Sequence, residues 1–207
     1  MAKQNNKPKA KTPKAPEYIY LDLGCGQNKQ NADSLFAQGV ITVEHKQYAK
    51  VLGVDQHECE GVDMVFDLTT FPYPFKDNSI DGAFSSHFVE HLDGHTRIKF
   101  FNEMYRILKV GARMRHIHPH YRSVRAIQDP THAWPPIAPE SYWYWDKNFR
   151  EVNKLGHYLG NCDYAITIYN SGYSDPEWAT KSDTTRNFAI KHYNDVVPDL
   201  IADMVKR

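Results

Sequence analysis

The stretch Tyr18-Ile-Tyr-Leu-Asp-Leu-Gly-Cys-Gly26, followed at a distance by Val51-Leu-Gly-Val-Asp55, decides the fold of this chain. The first segment is an apolar run that feeds Asp22 and then a turn in which Gly24 and Gly26 carry no Cβ to keep a ligand from the backbone. The second ends on a carboxylate suited to grip a ribose diol, as the acid beyond a phosphate-binding loop does in dinucleotide folds. Both read as strands, so two successive strands of a cofactor-binding α/β sheet are expected.

Working outward, residues 31–38 predict a short helix stopped by Gly39. Val40-Ile-Thr-Val43 is β-branched but would crowd the strand at 51–55, so an irregular or hairpin-like insertion is expected over 40–50. Residues 62–67 and 79–86 read as the third and fourth strands, with turns at Pro72, Pro74 and Lys76-Asp-Asn78 between them. Ile98, Phe101, Met104, Tyr105 and Leu108 recur at helical spacing, which predicts a helix over 96–109 ending near Gly111, with a fifth strand over 112–120. Residues 163–169 and 188–193 are the last two strand candidates, and 195–206 read as a terminal helix. The alternation predicts an α/β, Rossmann-like, mainly parallel sheet of about seven strands with helices on both faces.

At 207 residues the chain has room for one substantial α/β domain, expected over 17–207. Thirteen tyrosines, ten phenylalanines and four tryptophans are a generous aromatic content that the fold has to use. Formal net charge is zero, yet residues 1–16 hold Lys3, Lys7, Lys9, Lys11 and Lys14 and no acid, so the rest of the chain is mildly acidic. That basic leader has no apolar run resembling a signal peptide and a composition that cannot form a core, so it is expected to be disordered. Cys25, Cys59 and Cys162 are odd in number and lack C-x-x-C spacing, and no stretch approaches the ~20 apolar residues that span a bilayer. A soluble, cytoplasmic protein without membrane partners is expected.

Asp22 with Gly24 and Gly26, Asp55, Asp67, and Ser86 with His87 fall at the carboxyl ends of four consecutive predicted strands, the rim where a parallel sheet binds its ligand. A dinucleotide site would carry G-x-G-x-x-G, but Gly24-Cys-Gly26-Gln-Asn-Lys29 lacks the third glycine. Acids at three strand ends also suit a cationic ligand better than a phosphate. With Gly53-Val-Asp55, Phe66-Asp-Leu68, Pro74-Phe-Lys-Asp-Asn-Ser-Ile-Asp81, Ser85-Ser-His-Phe-Val-Glu-His-Leu92 and Glu103-Met-Tyr-Arg-Ile-Leu-Lys-Val-Gly111 in order, the chain resembles the class I S-adenosylmethionine-dependent methyltransferases, in particular the small type-11 group, over residues 18–120.

That resemblance implies an enzyme that binds S-adenosylmethionine and releases S-adenosylhomocysteine. By position, Gly24, Cys25 and Gly26 would approach the methionine part of the cofactor, with Asp22 holding that loop or meeting the amino group. Asp55 and Gln56 would take the ribose, Asp67 and Leu68 the adenine, and Ser86 and His87 would lie near the methyl group. The chain departs from the family in its long interval between Gly26 and Asp55 and in its histidine-rich fifth strand. A sulfonium is already an activated leaving group, so the chemistry asks chiefly for alignment and proton removal. No Ser-His-Asp or Cys-His constellation is needed, and none stands out.

The histidines form two spaced groups, His87/His91/His95 and His116/His118/His120. Either would place imidazoles on one side of a regular element, but Gly94 and Pro119 interrupt those geometries, and no metal is expected. His87 is the favoured general base, with His118 or His132 as alternatives from the loop after the fifth strand. Residues 121–160 are expected to cover the acceptor side, with Arg122, Arg125, Asp129, His132, Trp134 and Tyr142 as acceptor-binding candidates. Asp129-Pro-Thr-His132 is a turn that also recurs in many small methyltransferases of this type. The aromatic cluster Trp134, Tyr142, Trp143, Tyr144, Trp145 and Phe149 either forms a lid over a flat or sugar-like acceptor, or packs onto the sheet or into a homodimer contact.

The expected function is therefore methyl transfer by direct displacement to an unidentified acceptor, a small molecule or glycan. A catalytically silent cofactor-binding protein in an assembly is one alternative. A nucleic-acid methyltransferase guided by the basic leader is another; against it stand the acidic folded part and Ser85-Ser-His-Phe where an Asn-Pro-Pro-Tyr-like motif would fall.

Overall fold

The computed structural model describes residues 17–157 and 159–207; the basic leader, 1–16, lies outside the described residues. Seven strands form one sheet: β1 (Tyr18–Leu23), β2 (Ala49–Asp55), β3 (Met64–Val65), β4 (Ile80–Ser86), β5 (Leu108–Pro119), β6 (Tyr164–Asn170) and β7 (Asp199–Lys206). Their spatial order is β3-β2-β1-β4-β5-β7-β6. Pairing is parallel from β3 through β5, and β7 runs antiparallel between β5 and β6. The fold is thus a mostly parallel α/β sheet flanked by helices.

Side-chain alternation along β1 builds both faces. Leu21 and Leu23 join the large core, which α2 (Gly94–Ile107) covers with Phe100, Phe101, Met104 and Ile107. Tyr20 turns the other way into a smaller core with Phe84, Val40, Ile41 and Leu35 of α1 (Ala32–Ala37). Phe100 is fully buried, and its truncation to Ala should cost about 3–5 kcal/mol.

Helices are scarce between the early strands, and side chains do their work. Loop 66–79, between β3 and β4, is tied to α2 by Arg106, which donates to the Tyr73 and Phe75 carbonyls and pairs with Glu103 and Asp77. Glu103 in turn accepts the Tyr73 backbone N–H at 2.6 Å.

The insertion expected over 40–50 is irregular: Val40 and Ile41 are buried as a turn packed on α1, and a 3₁₀ turn (Lys46–Tyr48) leads into β2. Other expectations are corrected. The third strand shrinks to Met64–Val65, because Asp63 and Phe66 bond to β2 outside regular pairing. Helix α2 passes directly into β5 at Leu108, and Gly111, at φ +81°, sits inside that strand where the pairing with β4 shifts register, rather than ending the helix.

The largest correction exchanges the last two elements. Short helices α3 (Arg125–Gln128) and α4 (Lys147–Val152) precede this region. Residues 188–192 of the strand expected over 188–193 belong to helix α5 (Asp183–His192), with Tyr193 as its C-cap, and residues 195–206, expected as a helix, contain β7. Ser182 caps α5 by accepting from Thr185 N–H, Asp183 stands in its first turn, and Lys191 and His192 stand in its last, all complementing the helix dipole. Strand β7 lies between two neighbours and is buried on both faces, so its sequence shows no clean alternation. Asp203 on β7 is met by a two-pronged hydrogen bond from Arg115, at 2.7 Å on each oxygen, which binds β5 to β7.

Candidate functional site

The carboxyl ends of β1 and β2 are one hydrogen-bonded unit. Gly24 N–H donates to the Val54 carbonyl at 2.8 Å, and Gly26 N–H donates to Asp55 Oδ2 at 2.9 Å. Asp55 Oδ1 also accepts the His57 N–H, so its carboxylate is fixed by backbone on both sides. Asp22 is buried and does not face solvent; its Oδ2 accepts the Gln30 N–H at 2.6 Å and holds the returning loop. Burial pushes the Asp22 carboxyl up to about 6. Gly24 sits at φ +67°, and a Cβ there would lie 2.7 Å from the Phe88 ring, so both conformation and packing require glycine.

Asp67 ends the third strand region in a tight turn, where it accepts the Thr69 N–H at 2.8 Å and the Thr69 hydroxyl at 2.7 Å. Those bonds hold its carboxyl below the usual range. Leu68 is buried beside it, and its carbonyl accepts the Tyr73 hydroxyl.

After β4 the chain turns sharply. His87 adopts φ +55°, uncommon for a side-chain-bearing residue, and its N–H donates to Ile117 of β5. A 3₁₀ turn (Val89–His91) follows and brings Glu90 back under His87, with Glu90 Oε1 and His87 Nδ1 3.1 Å apart. Arg125 Nη2 lies 3.4 Å from His87 Nε2, and Arg125 is itself held by both oxygens of Asp199. A guanidinium only donates, so His87 Nε2 carries the lone pair and Nδ1–H donates to Glu90. The hydrogen bond to Glu90 raises the His87 pKa above its ordinary value.

One cavity of about 490 Å³ gathers these elements. Gly24, Asp55, Gln56, Asp67 and Leu68 line one wall; His87, His91 and Thr131 line the other. The remaining candidates lie elsewhere. Cys25 is buried, and Ser86 and Gly26 do not line the cavity. Arg122 donates to the Tyr121 hydroxyl. Asp129, which accepts the Thr131 hydroxyl and lies 3.9 Å from His132, does not line the cavity, and neither does His132. Trp134 and Tyr142 line a second cavity, of about 550 Å³, between α2 and residues 134–145.

In the aromatic segment, Tyr142 and Trp145 pack into the main core while Trp134 is exposed. Tyr142 stacks on His118, and burial lowers the His118 pKa to about 4 and raises that of Tyr142. Of the two histidine groups, His116 and His118 are fully buried on β5, where His116 bonds Ser85.

Glu90, Thr131 and Arg97 are not among the sequence-based site candidates, and His91 enters there only within the spaced group His87/His91/His95. Arg97, buried on α2, donates to the carbonyls of Val89, Ala133 and Pro135, while Ala133 N–H donates to Glu90 O. These bonds fasten the Asp129-Pro-Thr-His132 turn to the Glu90-His91 turn. The only sequence signal for this wall was that both short motifs recur; nothing in either announced the other.

Residues 21–115 match the family model of a methyltransferase domain. Among solved structures, a S-adenosylmethionine-dependent methyltransferase from Archaeoglobus fulgidus superposes with TM-score 0.60 at 21% identity, covering 92% of this chain and 86% of that one. The YcgJ protein of Bacillus subtilis gives TM-score 0.50 at 14% identity, covering 92% of both chains. Geranyl diphosphate C-methyltransferase from Streptomyces coelicolor A3(2), solved with Mg2+, geranyl diphosphate and S-adenosylhomocysteine, gives 0.49 at 16% identity, covering 93% of this chain and 73% of that one. No curated protein sequence matches. Residues 21–115 thus match a methyltransferase domain, and the chain as a whole has the fold of the Archaeoglobus fulgidus structure. Among the described residues no helix is long and apolar enough to cross a membrane.

Proposed function

We propose that the protein is an S-adenosylmethionine-dependent methyltransferase that methylates a hydroxyl or amine of a small-molecule or glycan acceptor, with the cofactor on the Gly24/Asp55/Asp67 wall and the acceptor on the His87 wall. The observation that carries this is the single cavity joining the two walls, whose volume falls in the ordinary range for small-ligand sites. The residues present fit the cofactor. Gly24 lines the cavity with its backbone, Asp55 offers its carboxylate to hydroxyls, and two carboxylates favour a cationic ligand.

When bound, the cofactor supplies a methyl group on an activated sulfonium. The chain's own contribution is alignment, water exclusion and proton handling. Gly24, Asp55, Asp67 and Leu68 hold and orient the donor. His87 Nε2 accepts the acceptor's proton, and Glu90 steadies the imidazolium through Nδ1, as a carboxylate does behind a catalytic histidine. For this Arg125 swings from His87 Nε2 and stays anchored on Asp199, where it can meet an anionic group of the acceptor. Leu92 and Phe88 line the cavity between the walls and exclude water.

Calorimetric titration with S-adenosylhomocysteine tests the cofactor wall, with micromolar or tighter binding expected; no heat at high ligand concentration overturns it. A screen of glycans, small hydroxy and amino compounds and nucleic acid with labelled cofactor tests the acceptor. Labelling confined to nucleic acid overturns the small-molecule assignment.

A further inference from the structure

We propose that Glu90, His91 and His132 form a binding site for one divalent transition-metal ion on the acceptor wall of the cavity. Among the described residues these three bring together one ligand atom each, all within 4.8 Å of one another. Their chemistry is that of a three-ligand site with two imidazoles and one carboxylate, which suits Zn2+ and its first-row neighbours and leaves coordination positions open.

The hydrogen bonds around the cluster make the case stronger than proximity does. Asp129 Oδ1 accepts the Thr131 hydroxyl at 2.7 Å and the Thr131 N–H at 2.8 Å. The Thr131 proton is therefore committed to Asp129, so at 3.0 Å Thr131 Oγ1 accepts from His91 Nδ1. That leaves the lone pair of His91 on Nε2. His132 Nδ1 lies 3.2 Å from the Ala126 carbonyl, which only accepts, so His132 also carries its lone pair on Nε2. Each imidazole is thus held by an outer hydrogen bond in the tautomer a metal ligand needs. Glu90 completes the set: its Oε1 is engaged by His87, while its Oε2 is buried and has no hydrogen-bond partner. An orphaned carboxylate oxygen in a buried position calls for a cation or donor.

The surrounding charges favour a cation. Asp129 Oδ2 lies 3.9 Å from His132 Nε2 and adds negative charge beside the cluster. Of the nearby cations, Arg97 is spent on three backbone carbonyls, and Arg125 is held by Asp199. A tetrahedral site needs ligand atoms about 3.3 Å apart, so some separations must close by up to about 1.5 Å on binding. His91 is exposed and supplies that movement. His91 and Thr131 line the cavity, so an ion held here faces the acceptor; its role there, lowering the pKa of a coordinated hydroxyl, rests on the methyl-transfer reading above.

Metal-stripped full-length protein is dialysed against Zn2+, Mn2+ or Ni2+ and its metal content measured, with Co2+ absorption reporting coordination. S-adenosylhomocysteine calorimetry is run on the same samples. About one equivalent of at least one of these ions is expected. It should fall at least tenfold in His91→Gln and His132→Ala and be retained in His95→Ala, an exposed histidine outside the cluster. Wild-type protein that binds S-adenosylhomocysteine but holds no ion overturns the metal site and leaves the methyltransferase reading standing. Metal held without S-adenosylhomocysteine binding does the reverse. Should His132→Ala fail to fold, exposed His91→Gln decides alone; undiminished metal in that folded variant overturns the proposal.

Discussion

The two walls of the cavity are built by different means. The wall of Gly24, Asp55 and Asp67 is held by backbone N–H groups that reach carboxylates at the ends of adjacent strands. The wall of His87, His91 and Thr131 is held by side chains, and its parts come from two turns some forty residues apart. A wall made of strand ends and turns is determined locally once the sheet forms. A wall of cross-linked side chains exists only when both turns are docked, so single substitutions should separate binding from chemistry.

The largest separation is expected from His87→Gln. Removing a general base typically costs 10²–10⁴-fold in rate, so methyl transfer should fall by about 100-fold or more while S-adenosylhomocysteine affinity stays within about threefold. A parallel loss of affinity would mean that the two walls are not independent. Next is Asp55→Ala, which removes the carboxylate that fixes Gly26 and His57. With charged hydrogen bonds worth about 1.5–3 kcal/mol, cofactor affinity should weaken about 10- to 100-fold by calorimetry. An unchanged affinity would remove Asp55 from the donor site.

These differences explain what the sequence disclosed. Asp22, Gly24, Asp55 and Asp67 are legible because a strand followed by a turn carries its own signal within a few residues, and their hydrogen bonds lie at the ends of adjacent strands. Glu90 and Arg97 are not, since burial of a charged residue shows only when its partners, the His87 ring or the Ala133 and Pro135 carbonyls, are placed in space. In the final third of the chain the capping pattern Ser182 to Thr185 was the stronger signal for α5, and the β-like residues of 188–193 misled. For β7, two-sided burial erased the alternation by which an edge strand would be recognised.

A smaller effect contrasts the strands behind the two walls through pH. His116, buried on β5, is pushed down to about 3, and His118 to about 4, both by desolvation. Groups held below their unfolded value near 6.5 contribute stability that is complete above that pH and lost as pH falls towards 4. Asp22 has the opposite sign. Raised to about 6, it binds a proton more tightly when folded, so its contribution declines as pH rises from about 4 to 6. Two histidines against one carboxyl leave a net slope of about 1.4 kcal/mol per pH unit over that window, with stability rising with pH. Urea denaturation at pH 4.5, 5.5 and 6.5 should show that slope, steepened by Asp22→Asn and flattened by His116→Gln. A flat or inverted wild-type profile would mean that the buried histidines are protonated in the folded state.

The smallest effect is expected at Trp134. The residue is 79% exposed and borders the second cavity rather than the one shared by the two walls. Little area is lost on truncation, and a surface substitution of this kind changes stability by no more than about 0.5 kcal/mol. Trp134→Ala should therefore leave stability and cofactor affinity unchanged and move the acceptor KM by less than about threefold. The measurement has force because the neighbouring backbone is not free. Ala133 and Pro135, on either side of the tryptophan, are both held by Arg97, and Ala133 also reaches Glu90. A small effect at Trp134 beside a large one at His87 would assign the acceptor to the wall of the first cavity and leave residues 133–135 as its support. A large rise in acceptor KM with cofactor affinity intact would move the acceptor's far end into the aromatic cavity, making residues 134–145 a binding surface in their own right.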